Sequence, residues 1–177
     1  MSPGMRLAFR IDPSILAPRG RGPGDIDVLV VDETRPQYAV AIEVKRVKMP
    51  AESYWTSQPN KLQELEKGCT QVGLLREIGF HRSCLLVVVV ADGREQTTTS
   101  VAFRGPTPSL VKAVKETLSS LTFHPDVGVV VLEVTQPMDK NIDDAGAIAI
   151  WTHQEVSEIE QSPELTAAIV TYLQSSR

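Results

Sequence analysis

The chain has 177 residues, of which 42% are hydrophobic and 23% charged, and its formal net charge at pH 7 is −4. These values are typical of a soluble globular protein that is long enough to bury a sizeable core. No apolar run reaches the roughly 18 residues that a membrane span requires, and the N-terminus lacks the apolar core of a signal peptide, so neither is expected.

The first half of the chain is predicted to form strands followed by one helix. Strands are predicted at residues 7–11, 27–32 and 38–47. The last two are separated by a five-residue loop with Pro36 as the breaker, which indicates a hairpin. Apolar residues then recur every three or four positions over residues 60–79, which predicts an amphipathic helix with Asn60 as its N-cap and Gly79 as its C-terminal stop.

The second half is predicted to alternate between strands and helices. Strands are predicted at residues 83–92, 127–136 and 147–151, and helices at 107–121 and 162–174. The strand at 83–92 is apolar on both faces, so we expect it to be central and covered on both sides. Thr107 or Ser109 is a suitable cap for one helix, and Ser162 followed by Pro163 for the other. This order of elements predicts an α/β fold with a mixed sheet.

Charge is distributed unevenly along the chain. Basic residues are frequent in the first fifty positions, whereas acidic residues dominate from Asp126 onward. A basic half can contact phosphates even in an acidic protein, but no dense Lys/Arg block is present, and simple solvated surface is an equal alternative. Cys69 and Cys84 show no Cys-x-x-Cys spacing, which predicts reduced, partly buried thiols in a cytoplasmic protein.

Asp27, Glu43 and Lys45 are notable because they interrupt or bound strands that otherwise look buried. Side chains alternate along a strand, so Glu43 and Lys45 are expected on one face and Val44 on the other. A hairpin brings the start of its first strand close to the end of its second, which places Asp27 beside this pair. Two carboxylates can ligate a divalent cation through oxygen and keep an ammonium group next to it.

This arrangement resembles the PD-(D/E)XK nuclease superfamily, which includes restriction endonucleases, Holliday-junction resolvases and RecB-like nucleases. The resemblance depends on "GDID" around Asp27 and on "EVK" at residues 43–45. It is strengthened by the helix that carries Gln71 and by the apolar strand that follows. Outside residues 20–92 no specific likeness is found.

The resemblance implies a restriction endonuclease-like fold, in which a mixed central sheet is flanked by helices. The whole chain, residues 1–177, is then one nuclease-like domain. The resemblance is clearest over residues 20–92, and residues 93–177 form a C-terminal α/β extension of the same domain.

The resemblance also implies a metal site for Mg²⁺ or Mn²⁺. Asp27 and Glu43 would be the side-chain ligands, joined by the backbone carbonyl of Val44. Asp25, two positions before Asp27, is a further candidate ligand if the strand begins early. A bound metal would polarise the scissile phosphate and lower the pKa of its water.

Catalytic roles are implied for Lys45 and Gln71. Lys45 would orient or deprotonate the attacking water and stabilise charge on the phosphate, and Gln71 would bind the water or a phosphate oxygen. Other basic residues are candidates for contacts with the nucleic-acid backbone. These are Arg19, Arg21, Arg46 and Lys48.

The leading hypothesis is therefore a metal-dependent endo- or exonuclease that hydrolyses phosphodiester bonds of DNA or RNA. The alternative is a catalytically inactive module with the same fold, used for nucleic-acid binding or protein assembly. A simpler alternative makes Glu43 and Lys45 an exposed pair worth less than about 1 kcal/mol, with Asp27 capping a turn.

Two features depart from the superfamily pattern. Members usually have a helix before the hairpin, often with a glutamate that completes the metal site, whereas the first twenty residues here suggest strand and loop. The pI of about 5.4 is also low for nonspecific binding to a polyanion. The expected partners are nucleic acid and, through the acidic C-terminal half, a second copy or another protein, with no membrane.

Overall fold

The computed structural model describes residues 4–12, 24–49, 61–92, 103–104, 106–135 and 147–175. They form an α/β structure with a mixed sheet and three helices. The strands are β1 (Met5–Ile11), β2 (Ile26–Asp32), β3 (Val40–Met49), β4 (Arg82–Asp92), β5 (Phe103–Arg104), β6 (Gly128–Thr135) and β7 (Ala147–Gln154). The helices are α1 (Gln63–Ile78), α2 (Pro108–Ser120) and α3 (Pro163–Ser175).

The sheet combines antiparallel and parallel pairs in the order β1-β2-β3-β4-β6-β7, and β5 pairs with β4 outside this path. β2 pairs antiparallel with β1 on one side and with β3 on the other. A 3₁₀ turn at Pro36–Tyr38 lies between β2 and β3. β4 is parallel to both β3 and β6, and β7 returns antiparallel to β6. The predicted hairpin, the mixed sheet and the central position of β4 are therefore confirmed.

The helix ends follow local capping chemistry. Gly79 closes α1 in the left-handed conformation, with a φ of 98° that a side chain would oppose. Thr107 and Ser162 cap α2 and α3, because each hydroxyl accepts the N–H three residues later, at 3.2 and 3.1 Å. The predicted cap Asn60 lies outside the described residues, and α1 begins at Gln63. No described helix is both long and apolar enough to cross a membrane.

All three helices pack on one face of the sheet, called here the helix face. α1 and α2 cover the alternate side chains of β3, β4 and β6, and α3 covers those of β1 and β2. Leu75 of α1 packs in the same cluster as α3, so the two clusters meet along α1. The strand residues fully buried here include Leu29, Val31, Ala41, Val47, Leu85, Val87, Val89, Val129 and Val131.

The opposite face of the sheet carries no helix among the described residues, and we call it the open face. On β4 its side chains are half-buried rather than fully buried. They are Cys84, Leu86, Val88 and Val90. The expectation that both faces of β4 are covered is therefore not met by the described helices, which all pack on the same face. The apolar composition of a strand does not show on which of its faces a helix packs.

Candidate functional site

The candidate site begins where the β2–β3 ladder ends. Val28 faces Ile42 in the last pair of the ladder, so one further step brings Asp27 to the level of Glu43. There the Asp27 side chain replaces a backbone partner, because its Oδ2 accepts the N–H of Val44 at 2.7 Å. The Asp27 carboxylate therefore links β2 to β3 just beyond the end of the ladder.

Glu43 and Lys45 both project from β3 to the helix face and form an ion pair. Lys45 Nζ donates to Glu43 Oε1 at 2.5 Å, and the two side chains are 15% and 2% exposed. The second oxygen, Glu43 Oε2, is buried and has no hydrogen-bond partner among the described residues. Burying a carboxylate with half of its acceptors unsatisfied is costly, so this pair differs from an exposed surface ion pair.

The pKa of Glu43 is raised above its ordinary range, chiefly because burial removes the carboxylate from water. The ammonium of Lys45 opposes this rise through its hydrogen bond and its charge. The neighbouring Asp27 carboxyl adds to the rise, and its hydrogen bond to the N–H of Val44 places it beside Glu43. The structure thus brings together Asp27, Glu43 and Lys45, as the sequence predicted.

Helix α1 packs directly against the site. Its Gly68 lies so close to β3 that an added Cβ would be 2.7 Å from Lys45 Cγ and 2.9 Å from Leu85 Cδ1. One turn later, the Gln71 amide nitrogen lies 3.4 Å from the Cβ position of Gly24, just before β2. The predicted Gln71 is therefore directed to the segment that leads into Asp27.

Two α1 residues near the site were missed from the sequence, Glu64 and Gly68. Glu64 is paired with Lys67, whose hydrogen bond lowers the pKa of its carboxyl, and the charge of Lys45 lowers it further. Glu64, Gly68 and Gln71 are spaced by four and three residues, which places them on one side of a helix. That spacing, with a glycine inside an apolar stripe, was the available signal.

Several predicted residues are not brought to this group. Asp25 precedes the start of β2 and is exposed. Arg46 and Lys48 lie on β3 at positions that alternate with Glu43, so their side chains belong to the open face. Arg19 and Arg21 lie outside the described residues.

Other chemistries find little support in the described parts of the chain. No three histidine, cysteine or carboxylate side chains form a group there that could hold a metal ion. Cys69 and Cys84 are free and half-buried, as predicted, and burial raises the pKa of both thiols. Comparison of the chain with protein-family models, curated proteins and solved structures finds no match.

Proposed function

We propose that the chain is a metal-dependent nuclease that hydrolyses phosphodiester bonds of DNA or RNA at the Asp27–Glu43–Lys45 group. The observation that carries this proposal is the orphaned Oε2 of Glu43, a buried carboxylate oxygen without a donor. An unsatisfied buried acceptor costs about 1–3 kcal/mol, and more when it is charged. A ligand that supplies positive charge at this oxygen would offset that cost.

The residues present fit a hard divalent cation such as Mg²⁺ or Mn²⁺. Asp27 and Glu43 would hold it through carboxylate oxygens, together with the backbone carbonyl of Val44. The N–H of Val44 faces Asp27, and a residue in a strand directs its N–H and C=O to the same side, which supports this third ligand. When bound, the metal would polarise the phosphate and activate a water molecule.

Lys45 and Gln71 would act around that centre. The Lys45 ammonium is held near Glu43 by the close approach of α1, so it would face the phosphate oxygens and stabilise their developing charge. The Gln71 amide, at the entrance to β2, would orient the attacking water or a phosphate oxygen. These roles of Lys45 and Gln71 do not require the basic side chains that lie on the open face.

We infer that the sheet is of the restriction endonuclease-like kind. Support comes from the connectivity: the antiparallel β2–β3 hairpin is followed by α1, and β4 then pairs in parallel with β3. The glutamate expected on a preceding helix has no counterpart in β1, which occupies that part of the described chain. Two acidic side chains would then hold the metal with backbone and water.

The second candidate is a catalytically inactive module of the same fold. It is favoured by the Glu43–Lys45 ion pair, because an ammonium at 2.5 Å already neutralises one carboxylate oxygen. Two carboxylates with such a neighbour are a weak metal site. The same protein would then bind nucleic acid or a protein partner without turnover.

The test is cleavage of plasmid, linear duplex, single-stranded DNA and RNA in the presence of Mg²⁺, Mn²⁺ or EDTA. Glu43→Gln and Lys45→Ala are the test variants, because both remove charge at the site. Glu116→Gln and Lys112→Ala are matched controls, since these residues form an exposed ion pair on α2. We expect metal-dependent cleavage that falls at least about 100-fold in the test variants and stays unchanged in the controls.

Metal binding is measured independently of cleavage, through its effect on the melting temperature. Mn²⁺ is expected to raise it in the wild type and to have no effect in Glu43→Gln. Binding without cleavage of any substrate would support the inactive module. If the wild type shows neither a metal-induced shift nor cleavage, the metal site does not exist.

A further inference from the structure

The open face of the sheet is largely apolar in the described strands. In one row across the sheet Phe9 is paired with Val28, Val28 with Ile42, and Ile42 with Cys84. A second row runs through Val44, Leu86 and Val130. The charged residues on this face include Asp32 at the end of β2, Arg82 at the start of β4, and Arg46 and Lys48 in the C-terminal part of β3. Such a face is far more apolar than solvent contact requires.

The large exposed apolar side chains concentrate on this face. Of the six that the described residues contain, five belong to the outer strands, and their positions alternate with those of the core. These five are Met5 (37% exposed), Leu7 (45%), Phe9 (63%), Ile148 (65%) and Ile150 (66%). Single exposed apolar residues are ordinary, but clustering on one face marks an interaction surface.

We propose that a second copy of this chain packs on the open face, sheet against sheet. The exposed fractions of the five side chains add up to roughly the surface of three complete residues, on the order of 500 Å². The half-buried side chains of β2, β3, β4 and β6 add to this. The total approaches the roughly 800 Å² per partner of a stable interface and reaches the upper range of patches that monomers leave exposed.

The arrangement of the patch favours a second copy over an unrelated partner. Exposed apolar groups lie on both outer strands, β1 and β7, with the half-buried rows between them. A two-fold axis between two such faces makes the same surface serve both partners, so the exposed groups of one copy would pack on the open face of the other. Sheets packed face to face are about 10 Å apart, which interdigitating side chains of this size fill.

The test is the molar mass by sedimentation equilibrium, with the protein at about 1 to 100 μM. We expect twice the 19.4 kDa of one chain. Phe9→Lys on β1 and Ile150→Lys on β7 are each expected to raise the dimer dissociation constant at least about 100-fold, because each places two charges in the interface. Both side chains are more than half exposed, so the folded chain loses little. Tyr38→Ser is the matched control, because Tyr38 is an exposed aromatic residue that lies outside the described strands.

Each outcome decides the proposal. A monomer at all concentrations overturns it, and so does a larger open assembly, because a two-fold contact closes at two copies. A dimer that persists in both lysine variants, with unchanged far-UV circular dichroism, also overturns it. If one variant fails to fold, the other decides, since they lie on opposite edges of the sheet. The result does not depend on the nuclease proposal, and Glu43→Gln should leave the mass unchanged.

Discussion

Glu43 is buried at a position where an ionised carboxylate is energetically unfavourable. Its side chain is 2% exposed, and only Oε1 accepts a hydrogen bond, from the ammonium of Lys45. An apolar residue of similar size at this position would satisfy the core, as Ala41 and Val47 do on either side of it. The carboxylate therefore reduces stability in the absence of a ligand, and this cost is measurable.

We predict that Glu43→Gln stabilises the metal-free protein at high pH. Because burial raises the folded-state pKa of Glu43, the folded protein retains a proton that the unfolded chain releases above the ordinary pKa of 4.5. Stability from the neutral form is therefore present below that value and is lost as pH rises through the folded-state pKa. Glutamine cannot ionise, so at about pH 8 the variant should melt roughly 2–4 °C above the wild type, or about 1 kcal/mol.

The pH dependence separates this effect from general repacking. The difference in melting temperature between variant and wild type should shrink toward zero as pH falls to about 4.5. Glu116→Gln, an exposed residue of α2, should show no such trend. A difference that is independent of pH would mean that the charge of Glu43 is not the source of the effect.

At the scale of elements, α1 controls the site through its close contact with β3. Gly68 permits that contact, because a methyl group there would meet Lys45 Cγ and Leu85 Cδ1. Gly73 in the same helix has nothing within 4 Å of its Cβ position. The two glycines are therefore a matched pair, with the same gain in helix propensity and different space.

We predict opposite effects for the two glycine variants. Gly73→Ala should stabilise the protein by about 0.5–1 kcal/mol through helix propensity, whereas Gly68→Ala should destabilise it by about 1–3 kcal/mol through overpacking. Urea unfolding measures both. In Gly68→Ala the pKa of Glu43, followed by NMR titration, should rise further if Lys45 is displaced, because Lys45 lowers it. Equal stabilisation by both variants would refute the close contact.

The elements could be predicted because their signals are local. Gly79 ends α1 and Ser162 caps α3 through groups a few residues away, and alternation within β2 and β3 gave the hairpin. The choice of sheet face could not be predicted in this way. Residues 84–91 of β4 are all apolar, so only packing against α1 and α2 distinguishes Leu85, which is fully buried, from Leu86, which is not.

The candidate site likewise has features that the local sequence predicts and features that it does not. Asp27, Glu43 and Lys45 were predictable, because strand alternation and hairpin pairing fix their relative positions within a short stretch of chain. Gly68 could not be recognised, because its role depends on how closely α1 approaches β3. Nor could the sequence show that Glu43 Oε2 lacks a partner, since that depends on every neighbouring element at once.

At the scale of the whole molecule, the two halves of the chain share one sheet and one helix face. β6, from the second half, pairs with β4 over seven residues of each strand. α3 packs onto β1 and β2, where Leu165 and Ile169 share a cluster with Ile26 and Leu29. The described strands and helix between residues 24 and 92, which carry Asp27, Glu43 and Lys45, thus share their core with elements of the second half.

We therefore predict that the chain unfolds as one cooperative unit and that a fragment of residues 1–92 does not fold. Without the second half, β4 becomes an unpaired edge and the cluster around Leu29 loses its cover from α3. Urea unfolding at one fixed concentration should give coincident curves by far-UV circular dichroism and tryptophan fluorescence. A chain that ends at residue 175 keeps all of α3 and should match the full length. Two separated transitions, or a cooperative transition in the 1–92 fragment, would instead show that the halves are independent folding units.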